Sequence, residues 1–145
     1  MNVSEVMTRK VEVIHPQTGL PEAAMAMRTH DIGSLPVMDE DRLVGILTDR
    51  DIATRAVAER RDLMTALVDD VMTRTVVHVF EDQEVGEAVE LMATWQVRRL
   101  PVLDRERRLV GILALGDLAI KGRDLRDAGR ALQGVSKPAL PEPVG

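Results

Sequence analysis

Two hydrophobic periods alternate along this chain. From about Leu20 to Thr29 the apolar residues Leu20, Ala24 and Met27 fall at helical spacing, which predicts an amphipathic helix with that stripe facing a core. Pro21 suits its opening turn, and Thr18 is placed to cap it. From about Val85 to Trp95 a second stripe, Val85, Val89 and Met92, predicts a matching helix with Asp82 as its candidate cap. Shorter runs rich in branched residues predict strands. They lie around Val11, Val13 and Ile14, around Leu35 to Met38, and over Leu43 to Leu47, with Val76, Val77 and Val79 opening a second set. Asp39 to Arg42 form a polar turn between two of them. Thr48 then stands where a helix N-cap belongs, and Asp51 follows three residues later. That is the spacing of a capping box, with an acid in the first turn. Ile52, Ala56 and Val57 mark the helix that follows; Leu118, Ala119 and Ile120 mark its later counterpart.

The pattern repeats. Val6-Met-Thr-Arg9 returns as Val71-Met-Thr-Arg74, and Leu35-Pro-Val37 returns as Leu100-Pro-Val102. Leu43-Val-Gly-Ile-Leu47 returns as Leu109-Val-Gly-Ile-Leu113. Pro36 and Pro101 are 65 residues apart, whereas Gly45 and Gly111 are 66 apart, so the extra residue falls in the polar turn, where insertions cost least. The chain therefore reads as a tandem repeat of strand, helix, strand, strand, helix. The expected boundaries are 1–62 for the first copy, 63–123 for the second and 124–145 for a C-terminal helix or loose tail, with Pro138, Pro141 and Pro143 near its end. The expected fold is α/β, with two half-covered sheets burying their apolar faces about a pseudo-twofold axis.

Composition removes several classes of function. The net charge is −5 and aromatic residues make up 1% of the 145, so neither a basic stripe nor a stacking platform for nucleic acid is present. No apolar run reaches the roughly 18 residues that a membrane helix needs. Cysteine is absent, which excludes disulfides and thiolate chemistry and permits a cytoplasmic address. His15, His30 and His78 lack ligand spacing, and Met25 and Met27 read as apolar filler, so no metal site is expected. Asp69-Asp70 and Glu81-Asp82 read as a linker and a helix start. No nucleophile–base pair emerges, so the chain is not expected to be an enzyme.

Thr48 and Asp51 are the strongest candidates for binding chemistry. A ribose offers a vicinal diol, and one carboxylate accepts from both hydroxyls at once. The competing reading is that the pair only caps a helix. The second copy keeps Asp117 but has Ala114 in place of the threonine and Gly116 where the first copy has Arg50. The first site is therefore expected to be the stronger. Arg50, Arg98 and Arg99 could meet phosphates or remain solvated.

Val-Met-Thr, Leu-Pro-Val and Leu43-Val-Gly-Ile-Leu-Thr-Asp-Arg-Asp51 together resemble the CBS domain, named after cystathionine β-synthase, and the resemblance runs from about Val3 to Lys121. Two such repeats resemble a Bateman module, here standing alone. The resemblance implies a regulatory module for adenosyl compounds such as AMP, ADP, ATP or S-adenosylmethionine, with no required cofactor. It implies ribose contacts at Thr48 and Asp51, with a facing wall at Thr75, Val76, Val97, Arg98 and Arg99, and Arg50 close by. It implies a weaker cleft at Asp117, Lys10, Val11, Ile32 and Gly33. It also implies a homodimer through a helical face drawn from Ala23, Met27, Ala88, Leu91, Met92 and Trp95, acting on a separate regulated protein. A ligand-free dimeric scaffold that works through protein contacts is the alternative.

Overall fold

The computed structural model describes residues 1–121 and 125–137. It divides into two compact units. One contains Val11–Val76 with Glu106–Leu109; the other contains Met1–Lys10, Val77–Arg105 and the chain from Val110 onward. Pro138, Pro141 and Pro143 lie outside the described residues.

In the first of these units, helix α1 spans Leu20–His30, strand β1 Ser34–Asp39 and strand β2 Arg42–Thr48. Strands β1 and β2 pair antiparallel, with Leu35 opposite Leu47 and Asp39 opposite Arg42, and an irregularity between Val37 and Met38. The expected first strand at Val11 to Ile14 shrinks to a single parallel bridge, Ile14 to Val37, because Val13 stays half exposed and has no face to bury. Helix α2, Asp49–Asp51, continues as a wider π-helical turn over Ile52–Val57. The Thr54 hydroxyl donates to the Arg50 carbonyl at 2.8 Å, taking an acceptor that a regular helix gives to a backbone N–H. Ala56 is buried, but Val57 is 56% exposed and does not join the core stripe expected of it. Helix α3, Val68–Val71, closes the unit.

The other unit repeats the plan. Strand β3, Val79–Phe80, runs parallel to β4, Arg99–Leu103, which neighbours β5, Leu109–Ala114. Helix α4 spans Val85–Trp95, α5 Leu115–Lys121 and α6 Leu125–Val135. Leu118 of α5 is buried, whereas Ala119 and Ile120 are exposed.

Two sequence expectations about the long helices change. The buried stripe of α1 is Leu20, Ala23 and Met27, with Ala24 exposed. Helix α1 begins after Gly19 and α4 after Glu84, neither with a side-chain cap, so Thr18 and Asp82 do not cap them. Thr18 stands one residue and Asp82 two residues before the N-cap position of its helix. The Thr18 carbonyl accepts from Val68 N–H at 2.8 Å, and the Asp82 carboxylate holds Arg105.

The lead-in segments are exchanged between repeats. Val3 N–H donates to the Gln83 carbonyl and Val85 N–H to the Met1 carbonyl, so the chain's start brackets the head of α4. Thr8 and Ile112 exchange both backbone bonds, at 2.8 and 2.9 Å. The segment before the second repeat does the same in the other unit: Val68 N–H reaches Thr18, Leu20 N–H reaches Ala66, and Thr73 and Ile46 exchange bonds at 2.8 and 2.9 Å.

That pairing explains the glycine of Leu-Val-Gly-Ile-Leu. A Cβ on Gly45 would stand 2.9 Å from the Thr73 carbonyl and 2.8 Å from the Met72 sulfur. A Cβ on Gly111 would stand 2.9 Å from the Thr8 carbonyl and 2.7 Å from the Met7 sulfur. Both glycines keep φ negative, so close approach and not backbone freedom requires them.

Candidate functional site

Thr48 ends β2 in extended geometry and caps α2. Its hydroxyl accepts from Asp51 N–H at 3.0 Å, and Asp51 Oδ2 accepts from Thr48 N–H at 3.0 Å, so the capping box read from the sequence is present. Asp51 is buried, only 7% exposed. A buried carboxylate needs several donors. Thr73 supplies another from the exchanged lead-in: its hydroxyl lies 3.2 Å from Oδ1 and 3.3 Å from Oδ2. Arg55, one turn on, places Nε 3.7 Å from Oδ1 and donates its other end to the Met72 carbonyl at 3.2 Å. Nothing in the sequence spacing of Thr73 or Arg55 from Asp51 singled them out, because one acts through lead-in exchange and the other looks like an ordinary helical ion pair.

The other expected residues of the first site divide between the units. Thr75 and Val76 lie in the unit of Asp51, two and three residues beyond Thr73, with Thr75 exposed and Val76 half-buried. Arg50 is exposed. Val97, Arg98 and Arg99 lie in the unit of Asp117, Val97 half-buried and both arginines exposed. The Leu115 N–H donates to the Arg98 carbonyl at 2.9 Å, which ties Arg98 beside the turn that carries Asp117. The equivalent bond in the other unit runs from Asp49 N–H to the Gly33 carbonyl, also 2.9 Å. There the Asp49 carboxylate stands so close that a Cβ on Gly33 would meet Oδ2 at 2.9 Å. The Asp51 carboxylate is thus surrounded by Thr48, Thr73 and the Arg55 guanidinium, while the Asp49 carboxylate lies against Gly33.

Of the residues expected at the weaker cleft, Asp117 and Lys10 lie in one unit and Val11, Ile32 and Gly33 in the other. Asp117 Oδ2 accepts from Ala114 N–H at 2.9 Å, so the cap survives loss of the threonine hydroxyl. Thr8 lies 3.4 Å from Oδ1, a longer and one-sided version of the Thr73 bond. Ile32 N–H donates to the Met27 carbonyl at 3.0 Å, closing the end of α1.

The expected association face is already used in part. Ala23, Met27, Ala88 and Met92 are each at most 7% exposed in a single chain. Helix α6 covers α4: Ala131 is buried in the same core, Gly134 lies against Ala93, and Arg130 pairs with Glu90. Trp95 remains 55% exposed.

Away from these corners, Arg105 stacks over Phe80 at 4.4 Å and clasps Asp82 at 2.8 to 3.0 Å. The guanidinium's hydrogen bonds hold the Asp82 carboxyl below the usual carboxylate range. Among the described residues, no cluster of three His, Cys, Asp or Glu is placed to hold a metal ion. Nor is any helix among them long and apolar enough to cross a membrane.

Paired repeats, each closing on its partner's Val-Met-Thr lead-in and each capped by an aspartate, define the class. The CBS domain model matches residues 3–58 and 68–122, and the chain belongs to the CBS domain family as a tandem pair. It is 42% identical over 135 residues to the CBS domain-containing protein YhcV of Bacillus subtilis, covering 93% of this chain and 95% of that one. It is 43% identical over 131 residues to inosine-5'-monophosphate dehydrogenase of Methanocaldococcus jannaschii, covering 90% of this chain but 25% of that enzyme. Among solved structures, the CBS domain pair of protein MJ0100, in complex with 5-methylthioadenosine and S-adenosyl-L-methionine, superposes with a TM-score of 0.72 at 31% identity. That match covers 83% of this chain and 94% of the other. The chain is a CBS pair of the regulatory kind, and its likeness to an enzyme is confined to a quarter of that enzyme's length.

Proposed function

We propose that this chain is a non-catalytic sensor that binds an adenosyl ligand (AMP, ADP, ATP or S-adenosylmethionine) and signals to a separate regulated protein, as a homodimer in the cytoplasm. One observation carries the reading: a buried carboxylate, Asp51, is fixed by the Thr48 cap at the end of a strand, with Thr73 and Thr75 on the neighbouring segment. A carboxylate so placed accepts a ribose diol, and no required cofactor enters the proposal. The relative solved with 5-methylthioadenosine and S-adenosyl-L-methionine supports testing those two compounds first at the Thr48–Asp51 corner.

A thermal-shift panel tests this. A ligand bound only by the folded state raises the melting temperature. A rise with at least one adenosyl compound is expected, and mass spectrometry of the purified protein should find that compound retained. No response to any of them would leave the second reading, a ligand-free scaffold. Its support is that Asp51 is already engaged by Thr48, Thr73 and Arg55.

A further inference from the structure

We infer that Thr73 is a latch on the ligand corner: its hydroxyl occupies the face of Asp51 that a ribose diol needs. The inference rests on the adenosyl-binding reading and deepens it. A carboxylate has about four lone-pair directions, and a diol bound to both oxygens uses the two that point away from the side chain. The Thr73 hydroxyl is almost equidistant from the two oxygens, 3.2 Å from Oδ1 and 3.3 Å from Oδ2, which sets it across that face. Thr48 N–H takes Oδ2 from another side and Arg55 approaches Oδ1. A ligand that engages both oxygens must therefore turn the Thr73 side chain away.

Thr73 is not a loose surface residue. Its backbone exchanges two hydrogen bonds with Ile46, and it belongs to the segment that joins the repeats. Occupancy at Asp51 is thereby felt at once in that joining segment. At the twin corner the Thr8 hydroxyl lies 3.4 Å from Oδ1 of Asp117, and Asp117 is less buried than Asp51.

The test is titration calorimetry of the full chain with S-adenosylmethionine and 5-methylthioadenosine. Thr73→Val removes the hydroxyl at nearly constant shape, and Thr73→Ala repeats the removal with less steric demand, so a folding defect in one leaves the comparison readable. Thr73→Ser keeps the hydroxyl. Releasing one hydrogen bond to a charged acceptor should tighten binding in the hydroxyl-free variants by about tenfold, with Thr73→Ser returning to the wild-type affinity. A merely structural role would lower stability without tightening binding. If the wild type binds and both hydroxyl-free variants bind equally or more weakly, the latch is wrong. If neither the wild type nor any variant binds, the adenosyl reading fails and the latch falls with it.

Discussion

Gly45 and Gly111 show how one residue encodes an exchange that no local rule reveals. In a strand, glycine weakens packing, so each must answer to a neighbour, and the neighbour is the backbone of a lead-in distant in sequence. Gly45→Ala and Gly111→Ala should each lose about 1–3 kcal/mol by overpacking, because the methionine can move but the paired carbonyl cannot. Gly86→Ala is the control. A Cβ there meets nothing within 4 Å on an exposed part of α4, so it should gain roughly 0.5–1 kcal/mol from helix propensity. Denaturant melts of the three variants would check both signs; a neutral Gly45→Ala would contradict the close approach. Asp82 gives a second residue-scale prediction. Its folded pKa is lowered by the hydrogen bonds from Arg105, so the pair contributes stability above the unfolded carboxyl pKa. That contribution disappears as pH falls through the folded value. In Arg105→Ala, an NMR titration should show the Asp82 midpoint moving upward; an unmoved midpoint would deny the clasp its role.

At the scale of elements, α6 decides what α4 can do. Gly134 packs so tightly on Ala93 that a Cβ there would stand 2.3 Å from the Ala93 Cβ and 2.5 Å from its Cα. In α1 the place corresponding to Ala93 is taken by Arg28, so the same docking has no seat there. Gln96 fastens the end of the pair, donating to the Lys137 carbonyl at 2.7 Å. The Arg130–Glu90 pair is exposed and adds little. Gly134→Val should lift α6 from α4, lower the melting temperature by several degrees and expose α6 amides to hydrogen exchange. Protection of α6 equal to the wild type would show that the contact does not hold the helix.

At the scale of the molecule, the homodimer remains our proposal, with a narrower surface than the sequence suggested. Ala23, Met27, Ala88 and Met92 are spent within the chain, leaving Trp95 and the half-buried Leu91 on α4. Trp95 is the sole tryptophan, so its emission reports its own burial. Emission should shift to the blue as concentration rises, with light scattering giving twice the chain mass, and Trp95→Ala should move the equilibrium toward single chains. A particle of single-chain mass at micromolar concentration would end the proposal.

The sequence by itself determined the tandem repeat, the long helices, the hairpins and the Thr48–Asp51 cap, because each is written in local spacing: period, turn and capping chemistry act over a few residues. Family membership was legible for the same reason, in short motifs that recur. Tertiary structure alone decided which Val-Met-Thr closes which sheet, why Thr18 and Asp82 do not cap, and that α6 covers α4. It alone set Thr73 against Asp51, 22 residues away in sequence. These depend on which segments meet across long stretches of chain. That is settled by burial and hydrogen-bond satisfaction over a whole unit, which no window of sequence contains.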